Sequence, residues 1–363
     1  MSNSLGSFFT VTSFGESHGR LIGAVIDGCP AGLPVSREDI QKELERRKPG
    51  AVPSGTPRAE EDAAEILSGV FNGRTTGAPV CLAVWNKDTD ARPYKKMKFL
   101  PRPGHADYTT NVKYGGFNDY RGGGRSSGRI TAGFVMAGAV ARKLLGVIGI
   151  EVFAHTIEIG GIKAALGDIR AARENARSNS LSCADPEAAK RMSEAIQSAA
   201  AQGDSLGGII EGIATGLPAG LGEPVFGAVD AELARALFAV PAVKGVEFGA
   251  GFRVAGMKGS ENNDPFVIRG GKIMTAGNNA GGVLGGITSG MPLVARVAVK
   301  PTPSIARPQK TVDMDTMAET ALEIKGRHDA CIVPRAVVVV EAVMMITLCD
   351  LAVQAGLLPR VIK

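Results

Sequence analysis

Apolar residues recur along the chain with three spacings, and each predicts a different element. In SREDIQKELERR (36–47), Ile40 and Leu44 stand one helical turn apart among charged residues, and Ser36 with Asp39 forms a capping box. The pattern predicts an amphipathic helix that stops at Pro49-Gly50, with Arg46 and Arg47 on its last turn. Asp185-Pro186 opens an Ala-rich helix ending near Gly203, with proline at the first helical position. The alternation of LVARVAVK (293–300) and the apolar run PVCLAVW (79–85) predict strands. Two long apolar stretches, 130–150 and 336–349, are interrupted by Arg142 and Lys143 and by Glu341 respectively. Neither offers the roughly 20 uninterrupted apolar residues of a membrane span, so both predict buried helices.

These pieces repeat. GVFNGRTTGAPVCLAV (69–84) aligns without gaps to GVLGGITSGMPLVARV (282–297). PAGL occurs at 30–33 and 218–221, each followed by a helical pattern that ends near a proline, Pro49 or Pro241. GRSS (124–127) and GRHD (326–329) each lead into an apolar helix. Echoes in the same order predict a duplicated α/β unit, with halves at roughly 1–200 and 201–363 packed on a common core in a single domain over 1–363. The other reading is that Gly-Thr-Gly-Pro turns recur because they are good turns.

Composition narrows the class. With 363 residues and 44% hydrophobic content, the chain can bury a large core or two smaller ones. Its 48 glycines without a G-X-Y period point to tight turns and to loops that wrap small molecules. Five cysteines, with no CxxC, argue for a reducing compartment and against a disulfide or zinc framework. The N-terminal MSNSLGSFFTVTSFG lacks the basic and apolar regions of a signal peptide. A net charge of +5 says little about nucleic acid by itself.

Candidate chemistry begins with GESHG (15–19), which satisfies the G-x-S-x-G of a hydrolase nucleophile elbow. An elbow needs a strand before the serine and a helix after it. Here a strand-like run, RLIGAVID, follows, so a serine hydrolase stays only as the alternative reading. RGGGRSSGR (121–129) could be an RGG-type RNA-binding tract, but it feeds straight into ITAGFVMAGAVARKLL. A Gly-rich loop with serines and arginines at a helix N-terminus is better suited to an anion. No P-loop or clean G-x-G-x-x-G is present, and the His and Cys spacings fit no common metal set. PRPGHADY (101–108), KPTPS (300–304) and GRHD add Arg102, His105, Lys300, Ser304, Arg327, His328 and Asp329 as groups for a multiply anionic ligand and for proton transfer. His155, in the strand-like EVFAHTIEI, is expected to be structural.

GESHGRLIGAVIDGCP, RSSGRIT and RHDACIVPRAVVVVEAV closely resemble the three signature regions of the chorismate synthases. RRKPG, RPGHADY, PAGLGEPVF, AVKGVEFG, AGGVLGGITSG and KPTPS match that family's intervening blocks, so the resemblance runs from about residue 5 to 355. It implies a phosphate lyase that converts 5-enolpyruvylshikimate 3-phosphate to chorismate by 1,4-anti elimination. It also implies reduced FMN, with NADPH as a candidate reductant, a cytoplasmic homotetramer, and helices sandwiched between antiparallel sheets in an α/β (α+β) fold. Neither nucleic acid nor membrane enters as a partner.

Roles carry over position by position. His18 resembles the acid that assists phosphate departure, with Ser17 beside it; His105 the group that stabilises charge on reduced flavin; Asp329 the residue that takes a proton from the flavin. Arg102, Arg125, Ser126, Ser127, Pro241, Ala242, Gly285, Lys300, Pro301, Thr302, Pro303, Ser304 and Arg327 fall where the family contacts FMN. Arg47, Arg129 and Arg327, with Ser17 and His18, fall where it holds substrate, and bidentate guanidinium pairing is the physical reason for arginine there. Three positions depart from the family pattern: Ala330 replaces a proline, Pro53 stands where some members carry arginine, and Gly128 replaces a commoner alanine.

Overall fold

A computed structural model describes residues 3–48, 62–87, 92–165, 167–324 and 329–363. The expected helix stop at Pro49-Gly50, Pro53, Arg327 and His328 lie outside them. Two five-stranded sheets form the outer layers. The first comprises β1 (Ser4–Leu5), β2 (Thr10–Gly15), β3 (Leu21–Asp27), β4 (Glu65–Ser68) and β5 (Val80–Trp85), in the order β1-β2-β3-β5-β4. The second comprises β6 (Glu151–Ile159), β7 (Ile162–Lys163), β8 (Gly208–Thr215), β9 (Val243–Phe248) and β10 (Leu293–Val299), in the order β9-β10-β8-β6-β7. All these pairings are antiparallel. The strand at 293–299 buries every second residue from Leu293 to Val299, as its alternation requires.

Long helices lie between the sheets, while the short helix Ile169–Ala176 packs on the other face of the second sheet, against Phe153 and Ile213. α1 (Arg37–Arg47) has the expected capping box: the Ser36 hydroxyl accepts from Asp39 N, and Asp39 accepts from Ser36 N. The two apolar stretches are α2 (Thr131–Val147) and α5 (Val333–Gln354), with α3 (Pro186–Ala201), N-capped by Asp185, and α4 (Val229–Phe238) between them in sequence. α2 packs against the first sheet, α5 against the second, and the two helices pack on each other. At their crossing a Cβ on Gly138 would stand 2.5 Å from Ala342 Cβ, so only glycine permits this approach. Gly128–Val147, which includes α2, and α5 are long and apolar enough to cross a membrane, yet 72% and 94% of their apolar windows are buried inside the protein. Glu341, the charge that interrupts the second stretch, is wholly enclosed. It accepts from Arg46 at 2.7 and 2.8 Å, from Arg142 at 2.6 Å and from Ala154 N at 3.0 Å.

The sequence echoes fall on equivalent structure. Residues 69–84 form a short hairpin, Val70–Phe71 with Arg74–Thr75, and then β5; residues 282–297 form the hairpin Val283–Leu284 with Ile287–Thr288, and then β10. Thr75 Oγ1 donates to Pro30 O at 2.6 Å and accepts from Leu33 N at 3.0 Å. Thr288 Oγ1 donates to Pro218 O at 2.6 Å and accepts from Leu221 N at 2.9 Å. One threonine thus clasps each PAGL turn. Register matches too, with Leu21↔Trp85 to Ile26↔Val80 in the first sheet and Ile209↔Ala298 to Ala214↔Leu293 in the second. The two sheets divide the chain earlier than residue 200. β6 already pairs with β8 in the second sheet, so the chain changes layer just before Glu151.

Candidate active site

GESHG is the connection between two antiparallel strands, β2 and β3, which pair down to Gly15↔Ile22. No helix follows Ser17, so the elbow geometry is not formed. Ser17 and His18 are both buried, with His18 Nδ1 3.2 Å from Ser17 Oγ and the imidazole edge-on to Tyr94 at 4.9 Å. Asn86 braces the loop. Its Nδ2 donates to Glu16 O (3.1 Å) and Gly19 O (2.9 Å), while its Oδ1 accepts from Arg129 Nε (3.0 Å).

RGGGRSSGR is ordered into two short 3-10 turns that lead into α2. Gly122 and Gly123 have φ of 58° and 82°, in the left-handed region that favours glycine. A Cβ on Gly122 would lie 2.2 Å from His18 Nδ1 and 2.7 Å from Ser17 Oγ. A Cβ on Gly123 would lie 2.9 Å from His105 Cε1 and 3.4 Å from Arg102 Nη2. Adjacent glycines therefore have the Ser17-His18 pair against one and the Arg102-His105 pair against the other. Arg125 ties the loop to β2, donating to Gly15 O (3.0 Å) and Ser13 O (3.2 Å). Ser127 Oγ accepts from Arg129 N (3.2 Å) and so turns the chain into α2; Ser126 is half-buried beside it.

The loop at 101–105 meets the one at 300–304. Arg102 Nη1 donates to Ser304 Oγ (3.2 Å), Lys300 Nζ donates to Gly104 O, and Pro303 packs on Gly104. Burial, with Lys244 nearby, lowers the Lys300 ammonium. Lys300 N donates to Ala242 O (2.9 Å), where Ala242 follows Pro241 at a left-handed φ of 73°, and Pro301 lies against Gly207. Beneath this cluster Asp107 accepts from Arg102 Nε (2.7 Å) and lies 2.7 Å from His105 Nδ1. Burial alone would raise its carboxyl, but the hydrogen bonds from Arg102 and His105 outweigh that and hold it well below the usual carboxylate range. Thr302 Oγ1 is buried and has no hydrogen-bond partner among the described residues, an open acceptor and donor beside Lys300.

Arg47 and Arg129 converge on one carboxylate, Asp62. Arg129 Nη1 donates to Oδ1, and Arg47 Nη1 lies 3.5 Å from Oδ2. Arg47 also donates through Nε to Thr131 Oγ1 (3.0 Å) and through Nη2 to Gly128 O (2.9 Å). Arg335 links Asp329 to this end, pairing with the Asp329 carboxylate and donating through Nε to Arg47 O (3.4 Å). Gly285 stands apart, at the tip of the 283–288 hairpin, where an added Cβ would meet nothing within 4 Å. His155 pairs in the second sheet with Glu211 (3.1 Å), which also accepts from Arg296 (2.7 Å). Of the departures, Ala330 O accepts from Leu206 N (2.7 Å) just before α5, and at Gly128 an alanine Cβ would meet nothing within 4 Å.

Sequence reasoning did not single out Asp62, Asn86, Tyr94, Asp107 or Arg335. Asp107 carried a signal, a carboxylate two residues after His105 in the quoted PRPGHADY, and so did Arg335, six residues after Asp329 in the quoted RHDACIVPRAVVVVEAV; Asp62, Asn86 and Tyr94 act across longer sequence distances, such as the 43 residues from Asn86 to Arg129. Among the described residues no group of three or more His, Cys, Asp or Glu is placed to hold a metal ion.

The family model for chorismate synthase matches residues 9–353. A chorismate synthase from Dehalococcoides mccartyi is 60% identical over 363 residues, covering 100% of both chains. One from Methanothermobacter thermautotrophicus is 53% identical over 355 residues, 98% of this chain and 95% of that one. A crystal structure of chorismate synthase superposes with a TM-score of 0.78 at 32% identity, covering 96% of this chain and 93% of the other. Matched in sequence from the first sheet to the end of α5 and in fold across both layers, the chain belongs to the chorismate synthase family, whose members are lyases.

Proposed function

We propose that this enzyme converts 5-enolpyruvylshikimate 3-phosphate to chorismate by 1,4-anti elimination of phosphate, with reduced FMN as cofactor, as a cytoplasmic homotetramer. The observation that carries the proposal is the Gly122-Gly123 turn, which has Ser17 and His18 against one glycine and Arg102 and His105 against the next. An elimination that expels phosphate beside an anionic cofactor needs both within one small volume.

In the reaction a C–O bond to phosphate and a C–H bond break and a carbon–carbon double bond forms, with no net oxidation. His18, steadied by the Ser17 hydroxyl and by Tyr94, donates a proton to the departing phosphate. Arg47 and Arg129, joined by Arg327, bind the substrate's phosphate and carboxylates through paired N–H donors. Asp329, ion-paired with Arg335, is the carboxylate that takes up a proton. The residues present fit an anionic cofactor, because the unpartnered Thr302 hydroxyl lies in one loop with Lys300 and Ser304 and next to Arg102. These four would hold FMN, and His105, ion-paired with Asp107, would keep a positive charge against it. When bound there, reduced FMN would supply an electron-rich ring.

The test is an anaerobic assay with FMN either reduced or oxidised, following chorismate and phosphate together. Equal release of both, with reduced FMN only, is expected. Phosphate without chorismate, or turnover indifferent to flavin, would overturn the proposal. Replacing the chemical reductant by NADPH asks whether the enzyme reduces its own flavin.

A further inference from the structure

We propose a second ligand site, apart from the one built on Gly122 and Gly123: the cavity between α1, α5 and β6 binds a small amphipathic anion, an apolar ring that carries a phosphate, sulfonate or carboxylate group. None of its described lining residues is among the groups assigned to substrate or to FMN.

The cavity has a volume of about 710 Å³, within the range of small-molecule sites. Its walls come from α1, the end of α2, the start of β6, α5 and the end of the short helix Ile169–Ala176. Leu145, Val338 and Met345 are buried at its base and give the apolar body of a ligand a surface to pack on. At Gly146, on the last turn of α2, an added Cβ would meet nothing within 4 Å, so the space there is open.

The carboxylates in these walls are already engaged. Glu341 accepts from Arg46 (2.7 and 2.8 Å) and from Arg142 (2.6 Å), and Glu43 pairs with the same two arginines at 2.6 and 3.2 Å. Glu151 pairs with Arg173, and Glu45 lies 4.0 Å from Lys48. Two cations are left over. The side chains of Lys42 and Arg177, both exposed at the rim, make no hydrogen bond or ion pair among the described residues. Partial desolvation lowers the Arg177 guanidinium, and the charges of Arg46, Arg173 and Arg142 push the same way against Glu341 alone. Arg46 also has donors to spare, since a guanidinium carries more N–H groups than the three hydrogen bonds that run from it to Glu43 and Glu341. An anion entering here meets uncompensated positive charge and charge-assisted donors beside apolar side chains. A bare phosphate would leave those apolar side chains uncovered, and an uncharged ring would leave the cations unmatched. The ligand that answers both walls is amphipathic.

The experiment titrates anilinonaphthalene sulfonate, a fluorescent apolar ring system with a sulfonate, into the full-length enzyme at low ionic strength. It compares wild type with Lys42→Glu, Arg177→Glu, Gly146→Trp and Arg129→Ala. Saturable binding is expected in wild type, and either charge reversal should weaken it about tenfold or more, a change of about 1.4 kcal/mol or more. Gly146→Trp, which puts an indole into the open space, should weaken it by about as much. Lys42, Gly146 and Arg177 are all exposed, so these three variants should melt within error of wild type. Arg129→Ala, in the reaction site, should leave dye binding unchanged. Phenylnaphthylamine, the same rings without the sulfonate, should bind wild type about tenfold or more weakly. Equal binding of the two dyes would overturn the anionic assignment. A loss in Arg129→Ala with none in the other three would put the dye in the reaction site and overturn the proposal. Binding unchanged in all four variants, or no saturable binding at all, would do the same.

Discussion

Gly122 has a Ser-His pair pressed against the space where its side chain would be. Gly122→Ala should therefore push His18 aside while costing the fold only about 1 kcal/mol for its left-handed φ. The expected result is a fall in kcat/KM of about a hundredfold with a near-unchanged denaturation midpoint; equal loss of both would mean that the turn is only structural. Asp107 tests the second pair. Its folded carboxyl is held below the ordinary value of 3.8, so the stability it contributes is fully present above about pH 4 and is lost as pH falls toward the lowered folded value. Asp107→Asn should cost about 2 kcal/mol at pH 7, and the difference from wild type should shrink below pH 4. A constant difference across that range would show that the ion pairs with Arg102 and His105 do not set it. Single residues were legible in the sequence where a motif isolates them, as with Ser17 and His18 between glycines. Asp62 and Asn86 were not, because each acquires its meaning from an arginine brought to it by the fold.

At the scale of elements, Thr75 and Thr288 clasp the two PAGL turns in the same way. Thr75→Val and Thr288→Val each remove one hydroxyl that both donates and accepts, leaving a carbonyl and an N–H of a PAGL turn short of a partner. Each should cost about 1–3 kcal/mol in denaturant unfolding, and the two costs should agree. A loss confined to one variant would show that the turns are not energetic equivalents. The helices at 37–47 and 186–201 and the strands at 80–85 and 293–299 were readable because capping residues and periodicity are local signals. The change of layer before Glu151 was not, since β2 and β6 share neither a motif nor a turn. Their equivalence lies in what each pairs with, Gly15↔Ile22 in one sheet and Thr156↔Ile210 in the other.

Across the whole molecule, Glu341 is where the layers are fastened together. It joins α5 to α1 through Arg46, to α2 through Arg142 and to β6 through Ala154 N. Burial would raise its carboxyl, yet the hydrogen bonds and charges of Arg46 and Arg142 keep it below the usual carboxylate value. Glu341→Gln leaves Arg46 and Arg142 to share Glu43, which already pairs with both, and should cost about 1–3 kcal/mol, read as a lowered denaturation midpoint; a midpoint within error of wild type would show that Glu43 alone balances the two arginines. The helix carrying Glu341 has a further consequence, for the order of assembly. α5 follows all ten strands of the two sheets in the chain and is synthesised after them, yet it fills the centre of the sandwich. Until the ribosome has passed residue 354, the second sheet has only α4, packed on β9, and lacks the helix that covers β6 and β8, while α2 has no partner across Gly138. A nascent chain halted before α5 should therefore hold two half-buried sheets with greasy, uncovered surfaces, the kind of intermediate that chaperones hold and proteases remove.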